Sequence, residues 1–165
     1  MNKVLILGAG LLGMGVAASI RALGGRCRLT AVVRHDRQCE LMQRFGANET
    51  ICVGRKDSQA VRYAREAERI GGKVIPTRFG HQAFLGGFDV VYDCIGTGES
   101  LTDSMKYARS GGTFVEVGTS QITLVDTAPL WFNELTLIGA SGRAFEQHNG
   151  RRLHPSLIGH GLVGL

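Results

Sequence analysis

The stretch Lys3-Val4-Leu5-Ile6-Leu7-Gly8-Ala9-Gly10-Leu11-Leu12-Gly13 sets the reading of the whole chain. Val4 to Leu7 is a continuous apolar run, as expected of a central parallel strand covered on both faces. Gly8, Gly10 and Gly13 then fit G-x-G-x-x-G. That spacing lets the backbone turn tightly, approach a pyrophosphate closely and pack the next helix against the strand. Helix amides without an intrahelical partner would point at the anion, aided by the helix dipole. Plain tight packing between a strand and a helix produces the same hexapeptide, so context has to decide.

The context runs outward from there. Leu12, Val16, Ala17, Ile20 and Leu23 recur at helical spacing until Gly24-Gly25, and Leu29 to Val33 reads as a second strand. The strand-helix-strand unit is complete in about thirty residues, as the glycine motif requires. The end of the second strand selects the cofactor in such units: an acid suits the ribose hydroxyls of NAD, an arginine the 2′-phosphate of NADP. Here Val33 is followed by Arg34, with Arg37 opening the next helix, and this leans toward NADP because an arginine fork matches phosphate geometry. Two other readings stand beside it. Arg34 is an ordinary loop arginine, or Asp36 is the acid of a longer strand; Asp36 is also placed to cap a helix from Arg37 to Phe45.

Further elements alternate. Ile51–Val53 reads as a strand, 57–70 as a helix, and Val74-Ile75 as a small strand among loops marked by Pro76, Gly80, Gly86 and Gly87. Phe88–Cys94 is a buried strand, Ser100–Arg109 a helix broken by Gly111-Gly112, and Thr113–Val117 a strand. After a short apolar turn at Leu130-Trp131-Phe132, Leu135–Ile138 supplies the sixth main strand. This alternation predicts an α/β fold, a doubly wound parallel six-stranded sheet in three α/β/α layers, the Rossmann fold. Residues 1–142 make that domain, and 143–165 form a weakly patterned tail, loosely ordered or an interrupted helix.

Composition excludes several classes. The chain has 165 residues, 44% hydrophobic and 20% charged, which suits one globular domain, and its 24 glycines are about twice the usual share. The formal net charge of +5 favours an anionic ligand, yet the arginines are dispersed, and Arg62, Arg65 and Arg69 sit at helical spacing beside Glu66 and Glu68, as on a solvated helix face of mixed sign. No basic stripe with interleaved aromatics points to nucleic acid. Cys27, Cys39, Cys52 and Cys94 form no C-x-x-C pair, so neither zinc knuckle nor disulfide framework is indicated, and a reducing cytoplasm is expected. No apolar run reaches membrane-spanning length. His81, His154 and His160 read as exposed. Asp89 and Asp93 read as turn or capping residues, and no catalytic acid, base, Tyr-x-x-x-Lys dyad or nucleophile elbow is apparent.

An ordered set of segments carries a resemblance: Gly-Ala-Gly-Leu-Leu-Gly at 8–13, Arg44-Phe45-Gly46-Ala47-Asn48, Asp89 to Gly96, Gly111 to Gly118, and Glu134 to Gly139. The chain resembles the cofactor-binding half of the medium-chain dehydrogenase/reductase superfamily, the zinc-type alcohol dehydrogenase group, over roughly residues 3 to 142. The resemblance implies that the backbone at Leu11 and Leu12 meets the pyrophosphate. Cys94, Ile95 and Gly96 would flank the adenosine side, and Val117, Gly118 and Thr119 would approach the nicotinamide. Ile138 to Ala140 would also lie near the nicotinamide, and the sixth-strand edge would pair with a second subunit in a homodimer. The family's barrel-like half, with the catalytic zinc ligands and proton relay, and the four-cysteine structural zinc cluster are not among these residues. The expectation is therefore an NAD(P)-binding domain, NADP preferred over NAD, from a larger oxidoreductase that would not turn over alone, with zinc held elsewhere if at all. Two alternatives share the layout: a stand-alone module sensing dinucleotide redox state, and an S-adenosylmethionine-dependent methyltransferase. Against the last stand Ala9-Gly10-Leu11-Leu12-Gly13 and the absence of an acid at Val33.

Overall fold

The computed structural model describes residues 1–53, 67–68, 72–76, 82–119, 121–141, 146–148 and 151–153. Along the chain these form β1 (Lys3–Leu7), α1 (Leu11–Ala22), β2 (Arg28–Val33), α2 (Asp36–Arg44), β3 (Glu49–Cys52), β4 (Lys73–Pro76), β5 (Gln82–Leu85), β6 (Phe88–Asp93), α3 (Gly98–Tyr107), β7 (Ala108–Glu116), α4 (Ala128–Phe132), β8 (Thr136–Gly139), β9 (Glu146–His148) and β10 (Arg151–Leu153). Six strands make one sheet in the order β3-β2-β1-β6-β7-β8, every neighbouring pair parallel. The chain leaves β1 outward to β2 and β3, then returns to the other side of β1 as β6. The order therefore reverses between β1 and β6, and a crevice opens there at the carboxyl ends of the strands.

The alternation of side chains along β1 divides the core. Val4 and Ile6 join Ala17 of α1, Met42 of α2 and Leu29, Ala31 and Val33 of β2 on one face. Leu5 and Leu7 join Val91, Phe88, Phe84 and Tyr107 on the other. A third cluster, Leu101, Met105 and Phe114, receives Val125, Leu130 and Leu135 from the segment around α4. Sheet and two helical layers thus follow from β1 being apolar in both directions. Truncating Ile6, which is wholly buried, to Ala would cost about 2–5 kcal/mol.

Several expected boundaries shift. The buried face of α1 is Gly13 and Ala17, with Met14, Val16 and Ile20 packed beside them, whereas Leu12 and Leu23 are exposed. The helix approaches the sheet on its small residues, and the leucines at similar spacing turn outward. Helix α3 begins at Gly98, two residues before the expected start, because Thr97 caps it: Ser100 N donates to Thr97 Oγ1 at 3.2 Å. It ends at Tyr107, and Ala108 to Gly112 already belong to β7, which is irregular where Phe88 pairs with Ala108 but Val90 with Thr113. The tail was expected to be loose or helical, yet it contains an antiparallel hairpin, with His148 opposite Arg151. β4 and β5 form a second antiparallel pair, in which only the first strand was expected, and Phe84 of β5 meets the Tyr107 ring edge-on at 5.5 Å. The helix read over 57–70 lies outside the described residues apart from the helical pair Ala67 and Glu68, of which Ala67 is buried. His81, His154 and His160 lie outside them too.

Candidate nucleotide site at the sheet's switch point

The three motif glycines answer to different demands. Gly8 turns out of β1 at φ +98°, a region that favours glycine, and a Cβ there would press on the Ile95 side chain at 2.7 Å. A Cβ on Gly13 would fall onto the Gly8 carbonyl oxygen, so α1 can lie this close to the turn only with glycine. Gly10 is different. It has φ −85° and ψ −168°, open to any residue, and a Cβ there would meet nothing within 4 Å. Gly10 is also the N-cap of α1, which has no side-chain cap hydrogen bond and no acidic residue in its first turn. Helix α3, by contrast, has its Thr97 cap and Glu99 in the first turn. Of these two N-termini, that of α1 keeps its first-turn amides clear for an anion.

The turn after β2 forms a second wall. Val33 is buried, while Arg34 and His35 are exposed beside the crevice. Gln38, one turn into α2, holds the loop: its Oε1 accepts from Arg34 N and His35 N, each at 3.1 Å, and its Nε2 donates to Ala9 O at 3.4 Å. One amide therefore ties the β2 turn to the glycine turn. The expected cap, Asp36, is instead the first residue of α2, with His35 at the N-cap. Its carboxylate stands within 4.8 Å of the Cys52 sulfur, and it does not line the crevice.

The third wall follows β6. Asp93 is fully buried at the strand's end, and its Oδ1 accepts from Ile95 N at 2.7 Å and Gly96 N at 2.9 Å. Ser104 Oγ lies 3.4 Å from Oδ2, and the Asp93 carbonyl accepts from Val117 N and Gly118 N, both at 2.9 Å. The turn role read for Asp93 is thus the observed one. Gly96 at φ +84° and Gly118 pack backbone to backbone, so that a Cβ on Gly118 would stand 2.6 Å from Gly96 N. Cys94 faces the α1–α2 side of the sheet. Burial, and then the Asp93 charge, push its thiol up to about 12, so it stays protonated at neutral pH.

These turns enclose a crevice of about 240 Å³ lined by Leu7 to Gly10, Val32 to His35, Gln38, Val53, Ile95 and Thr97, with Glu99, Ser100, Asp103 and Tyr107 of α3 closing one side. Of the residues expected at a cofactor, Gly8, Gly10, Val33, Arg34 and Ile95 come together here. Leu11 and Leu12 are exposed on the first turn of α1, and Gly13 is buried beneath it. Arg37 is exposed on α2 outside the lining; Cys94, Gly96, Val117, Gly118 and Thr119 also lie outside it. Sequence reasoning missed His35, Gln38, Glu99, Ser100 and Asp103. A Gln three residues after the true N-cap was the available signal for Gln38; the α3 residues could be found only from the strand order.

Among the described residues one set of three possible metal ligands stands together: Asp36, Cys39 and Cys52. It lies on the β2–β3 side of the sheet, across β1 from β6, β7 and β8. It is therefore separate from the loop that follows β7.

Fold and crevice together define a class, the doubly wound α/β domain of nucleotide-binding type. More narrowly, the sequence matches the zinc-binding dehydrogenase family over residues 12–154, and the chain belongs to that family. It is similar to the L-threonine 3-dehydrogenase of Cutibacterium acnes, 28% identical over 144 residues, covering 86% of this chain and 36% of that protein. Solved structures share the fold. A protein described as a zinc-binding dehydrogenase from Sinorhizobium meliloti 1021, bound to NADP, superposes with a TM-score of 0.59 at 23% identity, covering 84% of this chain and 37% of that one. An alcohol dehydrogenase from E. coli CFT073, complexed with NADH, gives 0.65 at 16% identity, over 84% and 36%. The chain thus spans just over a third of the length of these relatives. No helix among the described residues is long and apolar enough to cross a membrane.

Proposed function

We propose that this domain binds a nicotinamide dinucleotide in the switch-point crevice, as the coenzyme-holding part of an oxidoreductase of the zinc-type alcohol dehydrogenase kind. The observation that carries the reading is the uncapped, acid-free N-terminus of α1, opened by a Gly10 that no neighbour in the protein requires. Leu11 and Leu12 would offer main-chain amides to the diphosphate, Gly8 and Gly10 would let it approach, and Ile95 would cover the adenosine. Val117 to Thr119 would lead to the nicotinamide. When bound, the cofactor supplies hydride exchange with an alcohol or carbonyl, and the protein supplies position and electrostatics.

NADP is the preferred form. Arg34 stands at the crevice, Val33 offers no acid, and Asp36 lies outside the lining, grouped with Cys39 and Cys52. The exposed edge of β8, with Leu137 and Ile138 about half exposed, suits a symmetric partner strand and hence a homodimer. Four free cysteines suit a reducing compartment such as the cytoplasm. The test is calorimetric titration of the chain with NADPH and NADH, repeated with Arg34→Ala. NADPH should bind more tightly, and the substitution should weaken it roughly tenfold or more while leaving NADH unchanged. Equal affinities in the parent chain would remove the NADP assignment, and no binding of either would remove the function.

A further inference from the structure

We propose that Asp36, Cys39 and Cys52 form a binding site for one thiophilic divalent cation of the zinc class, tying α2 to the end of β3. The carboxylate oxygen and two sulfurs all lie within 4.8 Å of one another. Two elements bring them there. Asp36 and Cys39 are three residues apart in the first turn of α2 and share a face of the helix. Cys52 ends β3, in register with Val33 of β2. Both cysteines are half-buried and free, and Asp36 is exposed, so the donors are held by the fold and remain reachable from solvent.

The donor set selects the ion. Two sulfurs with one carboxylate oxygen favour zinc-like cations over magnesium or calcium, which take oxygen ligands. Bonds of about 2.3 Å to sulfur in a tetrahedron place two sulfurs about 3.8 Å apart, close to the separations of at most 4.8 Å already present. Water would fill the fourth position. In the metal-free protein burial, and then the neighbouring Asp36 and Cys39, push the Cys52 thiol up, so it carries its proton. Binding would form metal bonds to both sulfurs and release two thiol protons to solvent. The three residues do not line the nucleotide crevice, so the site stands or falls independently of dinucleotide binding.

The experiment is titration of the reduced, chelator-stripped chain with Co²⁺ and then Zn²⁺. Co²⁺ should produce thiolate-to-metal charge-transfer bands and tetrahedral ligand-field absorption, and Zn²⁺ should displace it at one ion per chain. Cys39→Ser and Cys52→Ser should each weaken Zn²⁺ binding by more than the roughly tenfold typical of losing an outer-shell partner. Cys27→Ser should leave it unchanged. Absence of charge-transfer bands in the unsubstituted chain, or equal Zn²⁺ uptake by the Cys39→Ser/Cys52→Ser double variant, would overturn the proposal.

Discussion

Gly10 and Gly13 are three residues apart, and substitution separates what each is for. Gly13→Ala drives a methyl group onto the Gly8 carbonyl. It should cost about 1–3 kcal/mol of stability in denaturant melts, as overpacking does. Gly10→Asp places a preferred N-cap on α1, so stability should hold or rise by about a few tenths of a kcal/mol. The same carboxylate would stand where the diphosphate is proposed to sit, and NADPH affinity should fall at least about tenfold. A Gly10→Asp chain that binds NADPH as before would mean the anion sits elsewhere. The sequence could show that both positions are glycine. It could not show that one is demanded by the chain and the other is not, because that depends on which atoms surround a missing Cβ.

At the scale of elements, two side chains fix the turns that line the crevice. Asp93 satisfies the amides of Ile95 and Gly96 from a fully buried position. Asp93→Ala leaves both donors without that acceptor and should destabilise the fold by about 2–4 kcal/mol, measured by urea unfolding. Gln38→Ala should cost less, about 0.5–2 kcal/mol. It should also loosen Arg34 and His35, seen as faster amide exchange confined to the β2–α2 turn. Asp93 was legible from sequence because an acid between a buried strand and the Ile95-Gly96 turn is placed to accept from the turn's amides. Gln38 was not, since the N-cap it completes is His35, outside the usual capping set, while Asp36 next to it looked like the cap. The apolar positions of α1 misled in a similar way. Leu12 and Leu23 keep helical spacing, but a helix that packs on Gly13 and Ala17 has no room for leucine on its inner face. The two antiparallel pairs were hard to read because strands of three or four residues carry too little alternation.

For the whole molecule, the six-stranded parallel sheet was legible because each of its strands carries a short apolar core of residues, most of them followed within a few positions by a glycine. The strand order places Glu99, Ser100 and Asp103 at the crevice, and no local pattern announces that. A contact at the opposite end of the sheet joins its central strands. Asp89 of β6 accepts from Lys3 N at 2.6 Å and from Arg109 Nε of β7 at 2.7 Å. The Lys3 amide first, and then Arg109, hold its carboxyl below the ordinary value of 3.8. Because the native value is lowered, the contribution is fully present above about pH 4 and is lost as pH falls through the native value. Asp89→Asn should therefore be less stable than the parent chain at neutral pH, and the two should converge at the acid end of a pH series of thermal melts. A constant gap down to the lowest pH would contradict the assignment.

The claim on which the rest depends is that a dinucleotide's diphosphate sits on the first turn of α1. Amide-resolved NMR of the isotopically labelled chain during titration with NADPH tests it most directly. The predicted result is that the Gly10, Leu11 and Leu12 amides shift furthest, with Ile95 and Arg34 following at the same midpoint. Shifts confined to α3 and the β8 edge, with the first turn of α1 unmoved at saturation, would contradict it.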